Sequence, residues 1–168
     1  MKKNIVQISP TYPHNINGVR NYAKLLADFL KKKSINSKIL VSDHLDNKNK
    51  KQRLFGKNNK NLYLLLENTN SNEIILHFSG YGYASRGLCF NLISTLEKWK
   101  QISKSRKLIT IFHEIYAIGP IYRMSFWTSL PQKYLAKKLL KLSNIALVTS
   151  KQNYITLSSF DKKKKIIY

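Results

Sequence analysis

Short runs of β-branched and apolar residues alternate along this chain with longer stretches whose apolar residues recur every three or four positions. Residues 4–8 (NIVQI), 37–41 (SKILV), 73–78 (EIILHF), 107–112 (KLITIF) and 144–148 (NIALV) are the short runs. Each is apolar almost throughout rather than alternating, as a strand buried on both faces of a parallel sheet must be. Between them, Val19, Tyr22, Ala23, Leu26, Phe29 and Leu30 form a helical stripe, with Arg20, Lys24, Asp28 and Lys31 facing away. Parallel strands need crossovers, and crossovers of this kind are right-handed helical connections. The pattern therefore predicts an α/β fold with a doubly wound, Rossmann-like parallel sheet.

Further elements follow from the same reading. Leu88, Leu92, Leu96 and Trp99 stand at helical spacing. A helix is expected from about Pro131 to Leu142, with the proline in its first turn and Tyr134, Leu135, Leu139 and Leu142 inward. Residues 62–66 (LYLLL) read as a strand, and residues 165–168 as one that has just begun. Ser150 is placed to cap a short helix ending near Phe160. Residues 46–61, rich in Lys and Asn, read as a surface loop.

The chain has 168 residues, enough for one ordinary domain with a real core, and its hydrophobic fraction of 43% argues against global disorder. Thirty Lys and Arg stand against 8 Asp and Glu, a formal net charge of +22. Such a surface attracts polyanions, including anionic lipid headgroups and phosphorylated ligands. Compositional drift toward Lys, Asn and Ile is the competing account of that charge. One cysteine, Cys89, excludes an internal disulfide and a multi-cysteine metal site, as suits a reducing compartment. No stretch is apolar for the length of a membrane span, and the first apolar run is too short for a signal peptide. A cytoplasmic protein, peripheral on the membrane at most, is expected. Nucleic acid is not an expected partner, because no helix-turn-helix, zinc-finger or RNP pattern occurs.

In open parallel sheets, ligands bind beyond the carboxyl ends of the strands. That rule selects residues 9–18, 79–87 and 113–120. In the first, Gly18 stands where a loop becomes a helix, and the first turn of a helix presents unpaired N–H groups to an anion. A turn requiring only a small residue is the alternative. In the second, Tyr81 and Tyr83 offer rings with hydroxyls, suited to a sugar, and Arg86 offers a guanidinium to a phosphate; a structural loop held by tyrosine packing is the alternative. The third opens with His113 and Glu114 directly after a strand, where a histidine both hydrogen-bonds and titrates near neutral pH. His77, inside its strand, reads as a satisfied core histidine rather than a ligand. No metal site is expected: the residue at 117 is alanine, so H-E-x-x-H is absent.

Taken together, the start ISPTYPHNINGVRNYAKLLADFL, the loop HFSGYGYASRG, the strand end FHE and the later VTS resemble the amino-terminal domain of family 4-type glycosyltransferases, over nearly the whole chain. The resemblance implies the acceptor-side half of a GT-B fold, with a carboxy-terminal nucleotide-sugar domain absent from residues 1–168. It implies transfer of a hexose from a nucleotide sugar to a glycan or lipid-linked acceptor, without a metal or other cofactor, and little activity by this half alone. A separate chain supplying the second domain would then be a partner. The family's diphosphate-binding glycine loop maps onto Asn17 and Gly18, and its histidine near the donor sugar onto His113, with Glu114 beside it. The usual glycine pair is here Asn17-Gly18, so close backbone approach is implied at Gly18 alone. The alternative is a non-catalytic basic module that binds anionic membrane or another polyanion.

Overall fold

The computed structural model describes residues 4–10, 18–41, 43–44, 52–53, 60–117, 122 and 124–168. Six strands form one parallel sheet: β1 (Asn4–Ser9), β2 (Asn36–Val41), β5 (Glu73–Phe78), β6 (Lys107–Phe112), β7 (Ile145–Val148) and β8 (Ile166–Ile167), in the order β2-β1-β5-β6-β7-β8. A separate antiparallel pair joins β3 (Asp43–His44) to β4 (Gln52–Arg53). The strand order reverses at β1, which pairs with β2 on one side and with β5 on the other. The sheet is doubly wound and Rossmann-like, as its alternating pattern predicts.

The reversal decides which helices cover which face. Helix α1 (Gly18–Lys32) carries the chain from β1 to β2 and lays Leu26 and Leu30 on Ile5, Ile75 and Ile111. The other connections run the opposite way and put α2 (Lys60–Asn68), α4 (Phe90–Gln101), α5 (Met124–Leu142) and α6 (Lys151–Phe160) on the second face. There Leu62, Leu66, Leu92, Leu96, Trp99, Leu135, Leu139 and Leu157 close over Val6, Ile8, Ile74, Leu76, Phe78, Leu108 and Phe112. Each fully buried Leu or Ile in this layer removes enough apolar surface from water to contribute about 2 kcal/mol. Arg106 clamps the far end of the layer: its guanidinium donates to both carboxylate oxygens of Glu67 at 2.8 and 2.9 Å and to the Trp99 carbonyl at 2.7 Å, with the indole ring 5.0 Å away.

Several expectations are corrected here. Residues 62–66 lie in helix α2, because Leu62 and Leu66, four apart, are both buried while Leu64 is exposed. A five-residue apolar run fits either period, and only the packing partner decides. Helix α5 begins at Met124 rather than near Pro131, so the proline sits inside it. Tyr134, expected inward, is exposed. In α1, Tyr22 and Phe29, expected on the inward stripe, are exposed, while Ala23 is buried as expected. Ser150 does cap α6, its Oγ accepting from the Asn153 backbone N–H at 3.2 Å. The expected basic loop at 46–61 falls largely outside the described residues.

Candidate functional site

The carboxyl ends of β1, β5 and β6 meet at the strand-order reversal, and buried polar side chains collect there. Gln7 within β1, His77 within β5 and Ser79 just after β5 are fully buried. Side chains alternate along a strand, so Gln7 shares the α1 face with Ile5, and His77 with Ile75. His77 Nε2 lies 2.7 Å from Gln7 Oε1, and His77 Nδ1 lies 3.3 Å from His113 Nε2. Gln7 Nε2 in turn donates to Ser37 Oγ at 2.7 Å. The two imidazole planes lie within 20° of each other with centroids 5.6 Å apart, the rings set end to end across that contact, and the Tyr22 ring of α1 meets both edge-on. The His113 backbone is pinned from both sides: its N–H donates to the Phe78 carbonyl, and its carbonyl accepts from Asn153 Nδ2.

Burial lowers the proton affinity of both histidines. His77 is pushed down to about 3, first by loss of solvent and then by the neighbouring His113. His113 is lowered by desolvation, against an opposing pull from the Glu114 carboxylate. Both rings are therefore neutral at pH 7.

Glu114 takes the other side of the edge. Ser79 Oγ donates to its Oε2 at 2.7 Å, and the carboxylate faces a cavity of about 290 Å³ walled by Phe78, Tyr81, Tyr116 and Gln132. Gln132 reaches up from α5 and holds this cavity's walls together. Its Oε1 accepts from the Ala117 N–H at 2.7 Å, while its Nε2 donates to the Arg86 carbonyl at 2.7 Å and to Tyr81 Oη at 3.2 Å. Gly87, at φ +70°, passes so close that a Cβ there would stand 2.9 Å from Gln132 Nε2.

The residues selected from sequence thus divide. His113 and Glu114 flank the sheet edge and face different neighbours. Tyr81 lines the cavity on the short helix α3 (Gly80–Tyr83). Tyr83, expected to meet a ligand, is buried, and its hydroxyl donates to the carbonyls of Ile8 and His77, joining β1 to β5. Arg86 is exposed, and its backbone at φ +58° takes a left-handed turn. Gly18 opens α1, but nothing lies within 4 Å of where its Cβ would be. Asn17 lies outside the described residues. His77 is indeed a satisfied buried histidine, and it also contacts the site. Gln7, Tyr22, Gln132 and Asn153 were not selected from sequence. The signal for one was present: a polar residue inside an apolar strand, as Gln7 is in NIVQIS. Among the described residues no cluster of three or more His, Cys, Asp or Glu could hold a metal ion. No helix among them is long and apolar enough to cross a membrane.

No protein-family model and no curated protein matches the chain. Solved structures do match. One is a crystal structure of Plasmodium falciparum PdxK with the ligands AMP-PNP and PL, at a TM-score of 0.55 and 14% identity, covering 99% of this chain and 63% of that one. Identity this low shows the fold alone. The resemblance to family 4-type glycosyltransferases is thereby corrected: a structural likeness is to PdxK, and no family model supports the glycosyltransferase assignment. The physical reason lies in the motifs. A glycine opening the first helix and polar residues directly after strands are what any doubly wound sheet puts at its ligand edge, so they report architecture before they report a family.

Proposed function

We propose that this chain holds a small hydroxyl-bearing molecule at the carboxyl edge of its sheet, as the acceptor side of a group transfer from a phosphate-bearing donor. The observation that carries the reading is the cavity at that edge, with aromatic walls and one carboxylate. Tyr81 and Tyr116 offer flat apolar faces, and Glu114 offers a strong hydrogen-bond acceptor to a hydroxyl. His113 does not line the cavity; on this reading it exchanges a hydrogen bond with the reacting hydroxyl from the adjoining side of the sheet edge. Hexosyl transfer from a nucleotide sugar to a glycan or lipid-linked acceptor is one form of this chemistry. Phosphoryl transfer, the chemistry of the kinase neighbour, is another. The donor would rest against the α1 end of the edge, near Gly18, with a further domain completing its site.

Ligand titration followed by NMR of the full chain tests this. A simple glycoside should perturb Tyr81, Glu114 and Tyr116, and Glu114→Gln should weaken its binding about tenfold, the loss of one charge-assisted hydrogen bond. Glycoside binding unaffected by Glu114→Gln, or perturbations remote from the sheet edge, would overturn the reading.

A second reading, compatible with the first, rests on α5. Trp127, Leu130 and Tyr134 stand three and four residues apart, so they share one helix face, and they are 64%, 71% and 60% exposed. Lys137 and Lys141 continue that stripe, and Tyr122 just before the helix is 84% exposed. Aromatic residues followed by lysines suit the headgroup boundary of an anionic membrane. On this reading the protein is cytoplasmic and peripheral, and its acceptor lipid-linked.

A further inference from the structure

We propose that Gln7 and His77 are positioning residues that fix the tautomer of His113, so that its Nδ1 is an acceptor and its Nε2 keeps the proton. The deduction starts at the strand farthest from the site. Gln7 Nε2 is committed as donor to Ser37 Oγ, which leaves Oε1 facing His77. A carbonyl oxygen only accepts, so His77 Nε2 carries the proton across that 2.7 Å contact. A neutral imidazole has one N–H, so His77 Nδ1 must be the acceptor in the 3.3 Å contact, and His113 Nε2 must donate. His113, neutral in turn, keeps the lone pair at Nδ1. The order passes from β2 through β1 and β5 to β6 in side-chain steps, all set by one amide.

Packing holds the chain of bonds in place. Gln7 and His77 are fully buried, Tyr22 lies edge-on to both rings, and Asn153 of α6 holds the His113 carbonyl. Around His113, β5 presents His77, α1 presents the Tyr22 ring, and α6 presents an uncharged amide. The carboxylate of Glu114 is the charge that acts on it, raising its proton affinity against the desolvation. The inference deepens the group-transfer reading and rests on it for its purpose: a histidine with a fixed lone pair receives the hydrogen bond of an acceptor hydroxyl without first having to turn over its own proton.

Long-range proton–nitrogen NMR on the nitrogen-15-labelled full chain, without any ligand, reads the tautomers directly. His77→Asn and His113→Asn assign the two rings. Near neutral pH both should appear as the Nε2–H form. Gln7→Leu removes the amide, and His113 should then become a mixture of tautomers. Gln7→Glu places a carboxylate against His77 Nε2 and should raise the His77 pKa by at least about one unit, a tenfold gain in proton affinity. A wild-type His113 protonated on Nδ1 would overturn the inference. So would a folded Gln7→Leu variant that leaves His113 unchanged. Should Gln7→Leu fail to fold, the wild-type spectrum still decides. Because no ligand is used, a failed glycoside titration leaves this result standing, and the reverse holds as well.

Discussion

Ser79 Oγ donates to Glu114 Oε2 at 2.7 Å, so the first hydroxyl after β5 aims the first carboxylate after β6. Two loops that diverge from adjacent strands are thereby joined at the mouth of the cavity. Replacing Ser79 by Ala should leave Glu114 in place but free to rotate. Ligand affinity should fall by a few-fold, less than with Glu114→Gln, because the carboxylate itself survives. Titration calorimetry with the same glycoside checks the ranking of the two variants.

Gln132 should behave as a structural residue despite its place in the cavity wall. Gln132→Ala would remove the partners of the Ala117 N–H and the Arg86 carbonyl, costing about 1–2 kcal/mol, since water from the cavity can take up part of the loss. Gly87→Ala should also destabilise, by about 1–2 kcal/mol, through its positive φ and the Gln132 contact. Gly18→Ala should change stability by less than about 0.5 kcal/mol, since its Cβ would meet nothing. Urea melts of the three variants give the order directly.

Acid should unfold the protein in a range set by its buried histidine. The unfolded chain takes a proton on His77 near 6.5, whereas the folded one resists until about 3. Between those values the unfolded state binds more protons, so stability is fully present above 6.5 and falls as pH drops toward 3. The slope for this group approaches about 1.4 kcal/mol per pH unit, and the lowered His113 adds to it with the same sign. His77→Gln should flatten the dependence measured by urea melts between about pH 7 and pH 5.

Vesicle flotation tests the α5 surface. Vesicles containing anionic lipid should bind the protein, and vesicles of neutral lipid alone should not. Salt should release it, since exposed charges are screened beyond about 10 Å at 0.1 M. Trp127→Ala combined with Leu130→Ser should reduce binding several-fold with the net charge unchanged. Equal binding to both vesicle types would remove the electrostatic part of the reading.

The sheet was legible because strands buried on both faces have nowhere to put polar residues, so β1, β5, β6 and β7 stand out as apolar runs. Helix α2 was not, since LYLLL satisfies a strand and a helix equally until Leu62 and Leu66 find α4. Pro131 misplaced the start of α5 because prolines favour first turns, a preference that tertiary packing overrode here. At the site, His113 and Glu114 were found by their place after a strand. Their partners were not, because Gln7, Gln132 and Asn153 come from distant segments and join only once the sheet has assembled. Tyr83 looked like a ligand contact by residue type, and only the distance to the Ile8 and His77 carbonyls reveals it as a brace.

The strand order also sets a timetable. β1 is interior in the finished sheet, yet its partner β5 arrives roughly seventy residues later, as the Gln7–His77 contact shows. At ribosomal speeds of about 5–20 residues per second, one side of β1 goes without its ladder for about four seconds or more during synthesis. Through that interval the strand's Ile-rich edge has the character of an exposed border open to pairing with other chains. How fast β5 follows therefore bears on how cleanly the protein is made in the cell, apart from how stable it is once complete.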